Sequence, residues 1–287
     1  MNRELRTAFF FVLPLVAFAV LLLLVPVAGT FYASLWQDVS FLARKFVGLA
    51  NYGRMFADHQ FIQSAVFTIS FALASVVLEL VFGMAIALVV NEKIKARGVL
   101  RGIALLPWAI PSVVGARIWQ LVYRYDFGLA NQVLNRLLGT SVNWLGSPAS
   151  AFFCLVTADV WRTTPFVAII LLAGLQAVPE EVYRQARVDG AGIFERFRHV
   201  TLPLLGPVLV VALLFRTVDA LRVFDIIYVM TGGGPAGATS SLSLYSYKYY
   251  ALGDFGYGSA VSVALFVVAF AAAIGYTRLA RFRQEVL

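Results

Sequence analysis

Between residues 8 and 277 the chain carries six stretches that stay apolar long enough to cross a lipid bilayer, and this limits the fold before any motif is read. They lie at about 8–35, 64–90, 102–123, 151–175, 202–228 and 257–277. A hydrocarbon core about 30 Å thick takes roughly 20 apolar residues as helix. Helix is the expected conformation, because each backbone polar group must then find its partner within the segment. Transmembrane strands would alternate in short segments, and these runs are continuous. The first run is too long for the apolar part of a signal peptide and is expected to be an uncleaved helix.

Composition points the same way. Hydrophobic residues make up 61% of the 287 residues and charged residues 13%, with a mean hydropathy of +0.83. Soluble domains carry about 25% charged residues. The net charge of +8 could suggest a nucleic-acid partner, but most basic residues sit in short segments beside the apolar runs, a membrane-orientation pattern. Nucleic acid is therefore excluded as a partner. With the N-terminus in the cytoplasm, the inner segments hold Arg3, Arg6, Lys93, Lys95, Arg97, Arg101, Arg184, Arg187, Arg196, Arg198, Arg278, Arg281 and Arg283. The outer loops hold Arg44, Lys45, Arg54, Arg124, Arg136 and Lys248. That is 13 against 6, so both termini are expected in the cytoplasm of a multi-pass cell-membrane protein. The single cysteine, Cys154, and the separated His59 and His199 build neither a disulfide nor a metal cluster. One transmembrane domain over 1–287 is expected.

The segment 178–201, between the fourth and fifth runs, is too polar to span and too organised for a plain loop. Pro179 suits a first helical turn, and Glu180 and Glu181 favour its positive end. Asp189-Gly190 signals a turn. Ile193, Phe197 and Val200 recur as an apolar stripe, and Pro203 marks entry to the next run. The expectation is helix–turn–helix on the cytoplasmic side, resting on headgroups or docking a partner.

Here the chain resembles the permease subunits of binding-protein-dependent ABC importers. Ala186, Asp189, Gly190, Ala191, Val200, Leu202 and Pro203 match the type and spacing of that family's EAA motif. Arg184 stands where the family has glutamate, and Gln185 where it has its first alanine. Phe46–Tyr52, Ala158–Phe166, Phe224–Pro235 and Phe255–Ala260 resemble segments of the maltose/trehalose-type carbohydrate branch. The resemblance implies an all-α fold of type I importer architecture. It implies a coupling segment contacting an ATPase through Glu181, Arg184, Ala186, Asp189, Gly190, Ala191, Phe194 and Pro203. Implied partners are a second homologous permease chain in a heterodimer, two ATPase subunits and an extracytoplasmic sugar-binding protein. ATP and Mg would sit on the partner subunits, with no cofactor on this chain.

The charges inside the runs are the other signal, since each costs about 2.5–3.5 kcal/mol at mid-bilayer. Asp159 with Arg162, Arg216 with Asp219, and Arg222 with Asp225 are each three apart and can pair along one helix. On a continuous helix Arg216 and Asp225 point to opposite sides. The pairs either neutralise one another or line a polar cavity between the fourth and fifth helices. Depth in the membrane favours the cavity for Arg162, Arg216 and Asp219. The family resemblance places the sugar pocket near Asp159, Arg162, Thr163, Phe166, Arg216, Asp219 and Val223. Glu79 and Arg117 are expected to face neighbours or the interface.

No catalytic set appears in the sequence. Gly232-Gly-Gly-Pro235 lacks the Gly-Lys-Ser/Thr of a phosphate loop, so the chain is expected to be a transport subunit and not an enzyme. An alternative reading is an ion-coupled secondary transporter using Glu79 and Asp219 for protons, and another is a channel or scaffold subunit. The segment up to Pro203 separates these, because only an ABC permease needs it.

Overall fold

Each apolar run is largely helical, and prolines lie at two of the places where the helices bend. The computed structural model describes residues 3–92 and 97–286; Lys93 and Lys95, counted above among the inner basic residues, lie outside them. In chain order the first elements are α1 (Arg3–Ala19), a π-turn (Val20–Leu24) and α2 (Val25–Ser34). A two-stranded antiparallel hairpin follows, β1 (Trp36–Gln37) and β2 (Lys45–Phe46), then α3 (Ala50–Ala57) and α4 (His59–Asn91). Next come α5 (Arg97–Ala109), α6 (Ser112–Val122), α7 (Leu129–Leu138) and α8 (Pro148–Ala177). The polar segment forms α9 (Glu180–Val188), α10 (Ile193–Arg196) and a π-turn (Phe197–Thr201). After α11 (Leu202–Leu204) the chain ends with α12 (Gly206–Leu221), α13 (Asp225–Met230), α14 (Leu242–Ala251) and α15 (Phe255–Val286).

Among the described residues four helices are long and apolar enough to span: Phe9–Ser34, His59–Asn91, Pro148–Ala177 and Phe255–Arg278. Two bent helix pairs are long and apolar enough when taken together. Gly98–Ala109 meets Ser112–Val122 at 89°, and Ile193–Leu204 meets Gly206–Leu221 at 68°. Pro111 breaks the first pair, because it lacks an amide donor and disfavours helical backbone at Ile110. Pro203 and Pro207 flank the second bend. The fifth run, expected as one helix over 202–228, is thus divided again at Arg222–Phe224 before α13 begins.

The chain forms two units, residues 1–62 with 245–266, and residues 63–244 with 267–287. In the first, Asn51 donates to the carbonyls of Ser34 (2.8 Å) and Trp36 (2.9 Å), tying α3 to the turn after α2. Asp58 accepts from the hydroxyls of Tyr245 and Tyr257. Arg54 pairs with Asp254 at 3.2 Å and lies 4.3 Å over the Tyr257 ring.

The second unit is built around α8. Its apolar core has one cluster at Phe71, Leu155 and Ile227 and another at Val167, Leu171 and Leu205. Gly83 sets the α4–α8 approach: a Cβ there would lie 2.7 Å from Val167 Cγ1. Small residues let helix backbones come this close. One turn away, the same approach brings Glu79 against Thr163.

Candidate functional site

Four carboxylates and three arginines gather where α4, α8, α12 and α13 meet. Glu79 is fully buried. Its Oε1 accepts from Arg216 Nη2 at 2.7 Å and from the Thr163 hydroxyl at 2.6 Å, and its Oε2 accepts from Arg216 Nε. Arg216, also buried, donates in addition to Asp219 Oδ2 at 2.5 Å and to Asp159 Oδ2 at 3.4 Å. One guanidinium is therefore held by three carboxylates. An uncompensated charge at this depth would cost several kcal/mol, and the hydrogen-bonded pairing removes most of that cost.

This arrangement corrects several expectations. Glu79 faces the interior and its ion pair. Asp159 pairs with Arg216; among the described residues it forms no ion pair with Arg162. Arg222 donates to Asp219 Oδ1 at 3.3 Å, and Asp225 accepts from the Ser112 hydroxyl. Arg216 and Asp225 do not point to opposite sides. Because α12 stops at Leu221 and α13 starts afresh at Asp225, both line one cavity.

That cavity, about 250 Å³, is walled by Ser112, Asp159, Arg162, Arg216, Asp219, Arg222, Val223 and Asp225. A second, about 310 Å³, shares Arg162, Arg216, Asp219 and Arg222 with it and adds Trp108, Thr163, Phe166 and Phe215. All seven residues assigned to the pocket from the sequence line one or both. Trp108 stacks on Phe166 with ring centroids 5.9 Å apart, and Phe215 meets Phe166 edge-on at 6.4 Å. Sequence reading missed Trp108, Phe215 and Glu79. For Glu79 the signal was present: a lone acid in an otherwise uncharged span needs a cation, and the fifth run had one to offer.

The residues assigned to coupling lie on or around α9. Glu181 and Arg184 pair at 2.6 Å on an exposed face, so the arginine at the usual glutamate position is occupied within its own helix. The helix closes in a Schellman turn. Ala191 N–H donates to Ala186 O at 2.9 Å, Gly190 N–H donates to Arg187 O at 3.1 Å, and Gly190 has φ +82°. Asp189 is the C-cap. On either side of the turn, Val188, Ile193 and Phe194 are more than two-thirds exposed, so the turn carries an apolar knob. Tyr183 and Thr201 join α9 to the second π-turn through hydroxyls 3.2 Å apart, and Pro203 sits in α11 at the bend.

Comparison with known proteins adds the family. Residues 79–284 match the model for the binding-protein-dependent transport system inner membrane component. The chain is 52% identical over 284 residues to the trehalose/maltose transport system permease protein MalF of Thermococcus litoralis, covering 99% of this chain and 96% of that protein. It is 38% identical to the sulfoquinovosyl glycerol transport system permease protein SmoG of Agrobacterium fabrum, covering 92% and 87%. It is 37% identical to the trehalose transport system permease protein SugA of Mycobacterium tuberculosis, covering 92% and 85%. In fold it is similar to a chain of a bacterial alginate ABC transporter crystallised with its alginate-bound periplasmic protein. That match has a TM-score of 0.84 at 22% identity and covers 96% and 94% of the two chains.

Proposed function

Because the chain belongs to the family of inner membrane components of binding-protein-dependent transport systems, in its carbohydrate branch, we propose that it carries a disaccharide of the trehalose/maltose kind, driven by ATP that partner chains hydrolyse. The chain is a multi-pass sugar-importer permease, a transport subunit and not an enzyme; its relatives are permeases of sugar transport systems. One observation carries the finer reading. On the walls of the two cavities, aromatic faces at Trp108, Phe166 and Phe215 meet planar charged groups at Asp219, Arg162 and Arg222. A sugar offers an apolar ring face and an edge of hydroxyls, and the two kinds of wall suit the two kinds of surface. Arg216 is already held by three carboxylates, so it frames the site. Asp219, which pairs with Arg216 and Arg222 but keeps a side chain 44% exposed, and Arg222 with Arg162 are the groups placed to meet hydroxyls.

The rest of the importer follows from the same reading. A second permease chain of similar fold would complete the path in a heterodimer. Two ATPase subunits, carrying ATP and Mg, would seat on the coupling segment 178–201, and an extracytoplasmic binding protein would deliver the sugar. The segment is joined at one end to α8 and at the other, through α11, to α12, the two helices that wall the cavities. Its displacement when the ATPases close would be passed to both and would turn the cavity from one side of the membrane to the other. Of the two carboxylates that an ion-coupled transporter would use, Glu79 is held on Arg216 and Asp219 lines the cavities; the family match favours the ATP-driven reading.

Uptake of radiolabelled trehalose and maltose by cells expressing the whole importer tests this. Asp219→Asn and Arg162→Gln should each lower uptake about tenfold or more, the effect of losing a charged hydrogen-bond partner worth about 1.5–3 kcal/mol, with the chain still present and assembled in the membrane. Full uptake in both variants would overturn the assignment of the site.

A further inference from the structure

The end of α4, the start of α5 and the end of α8 lie on one side of the membrane, the side that carries α9. Two cavities there share a wall, Arg101. One, about 540 Å³, is polar and includes two acids, Glu92 and Glu180, with Asn91, Gln176, Tyr183 and Arg187. The other, about 250 Å³, is a groove between α4, α5 and α8 lined by apolar residues such as Val90, Leu105, Ile169 and Leu172, with Arg101 as its one charged residue.

The described residues leave one edge of Arg101 unsatisfied. Its Nε and Nη2 are shielded from solvent, and among the described residues neither has a hydrogen-bond partner. These two nitrogens form one edge of the guanidinium, which presents two parallel N–H donors at the spacing of two phosphate or carboxylate oxygens. A buried donor left without an acceptor is unfavourable, so the edge calls for an anion. The groove beside it calls for hydrocarbon. A free anion answers only the first demand and a neutral lipid only the second. A phosphate carrying an acyl chain answers both, and the polar cavity leaves room for the rest of a headgroup between Glu92 and Arg187.

We infer that the chain binds one anionic glycerophospholipid here, its phosphate on the Nε/Nη2 edge of Arg101 and an acyl chain in the groove between α4, α5 and α8. Tyr183 and Arg187 belong to α9, so the headgroup also touches the segment between the fourth and fifth spans. The site does not depend on which solute the chain carries.

The test uses the full chain purified from membranes with its accompanying subunits, stripped of lipid in detergent. Dioleoylphosphatidylglycerol, dioleoylphosphatidylcholine or inorganic phosphate is then added back. Thermal unfolding and native mass spectrometry read the result. Phosphatidylglycerol should raise Tm and remain bound at one per chain, while phosphatidylcholine and phosphate should do neither. Arg101→Gln should weaken phosphatidylglycerol binding about tenfold or more, and Ala104→Phe, which fills the groove and leaves the arginine, should abolish retention. Equal stabilisation by phosphatidylcholine would remove the role of Arg101. Reproduction of the effect by phosphate alone would make this an anion site without a lipid. Undiminished binding by Arg101→Gln, or by Ala104→Phe if the first variant does not assemble, would overturn the proposal.

Discussion

Glu79 on α4 grips Arg216 on α12 with both carboxylate oxygens, across 137 residues of sequence. This pair clamps two spans together and aims Arg216 at Asp219 and Asp159. It also separates two kinds of residue at the site, those that hold its shape and those left to meet a solute.

Stability should follow the first kind. Glu79→Ala leaves a buried guanidinium short of its main partner, and Arg216→Leu strands Glu79; breaking a buried pair costs about 3–5 kcal/mol. Replacing both residues with leucine should cost less than the sum of the single changes. Thermal unfolding of the purified assembly across this double-mutant cycle measures the coupling. Additive losses would show that the pair does not act as a unit.

Coupling should follow the turn after α9. Gly190 sits at φ +82°, where a residue with a Cβ is disfavoured by roughly 1–2 kcal/mol. Gly190→Ala should therefore distort the turn that presents Val188, Ile193 and Phe194, without touching any buried contact. Sugar-stimulated ATP hydrolysis and uptake should both fall while the amount of chain in the membrane is unchanged. Normal stimulation in this variant would show that the turn's shape is not used in docking.

The end of the first unit around Asp58 should be acid-sensitive. Burial pushes the Asp58 carboxyl up, but hydrogen bonds from the Tyr245 and Tyr257 hydroxyls and from the Gln60 and Phe61 amides outweigh it. The folded value lies below the ordinary 3.8. A lowered carboxyl contributes stability that is fully present above its unfolded value and is lost as pH falls through the folded one. Hydrogen exchange over residues 50–62 and 245–257 should stay slow down to about pH 4 and quicken below it. Tyr245→Phe should move that onset upward in pH. An onset unmoved by the variant would mean that Asp58 does not control this end.

The composition of the chain settled the membrane class, because no arrangement of a soluble chain hides runs so long and so free of charge. The spacing around Gly190 and Pro203 was equally readable, since a helix stop and a restart depend on local backbone preferences. The seven pocket residues were placed by family resemblance and by their charge within apolar runs. Tertiary structure alone decided how those charges pair. Glu79 reaches Thr163 on α8, where Gly83 lets the two helices come close, and meets Arg216 on α12. Asp225 shares a cavity with Arg216 because α12 ends at Leu221 where periodicity would have carried it on. Trp108 joins Phe166 across the contact between α5 and α8. Hydropathy and local propensity are sums over neighbours in sequence, and they can say that a buried charge needs a partner. Which partner it finds depends on where helices cross and break, and packing across long stretches of chain determines that.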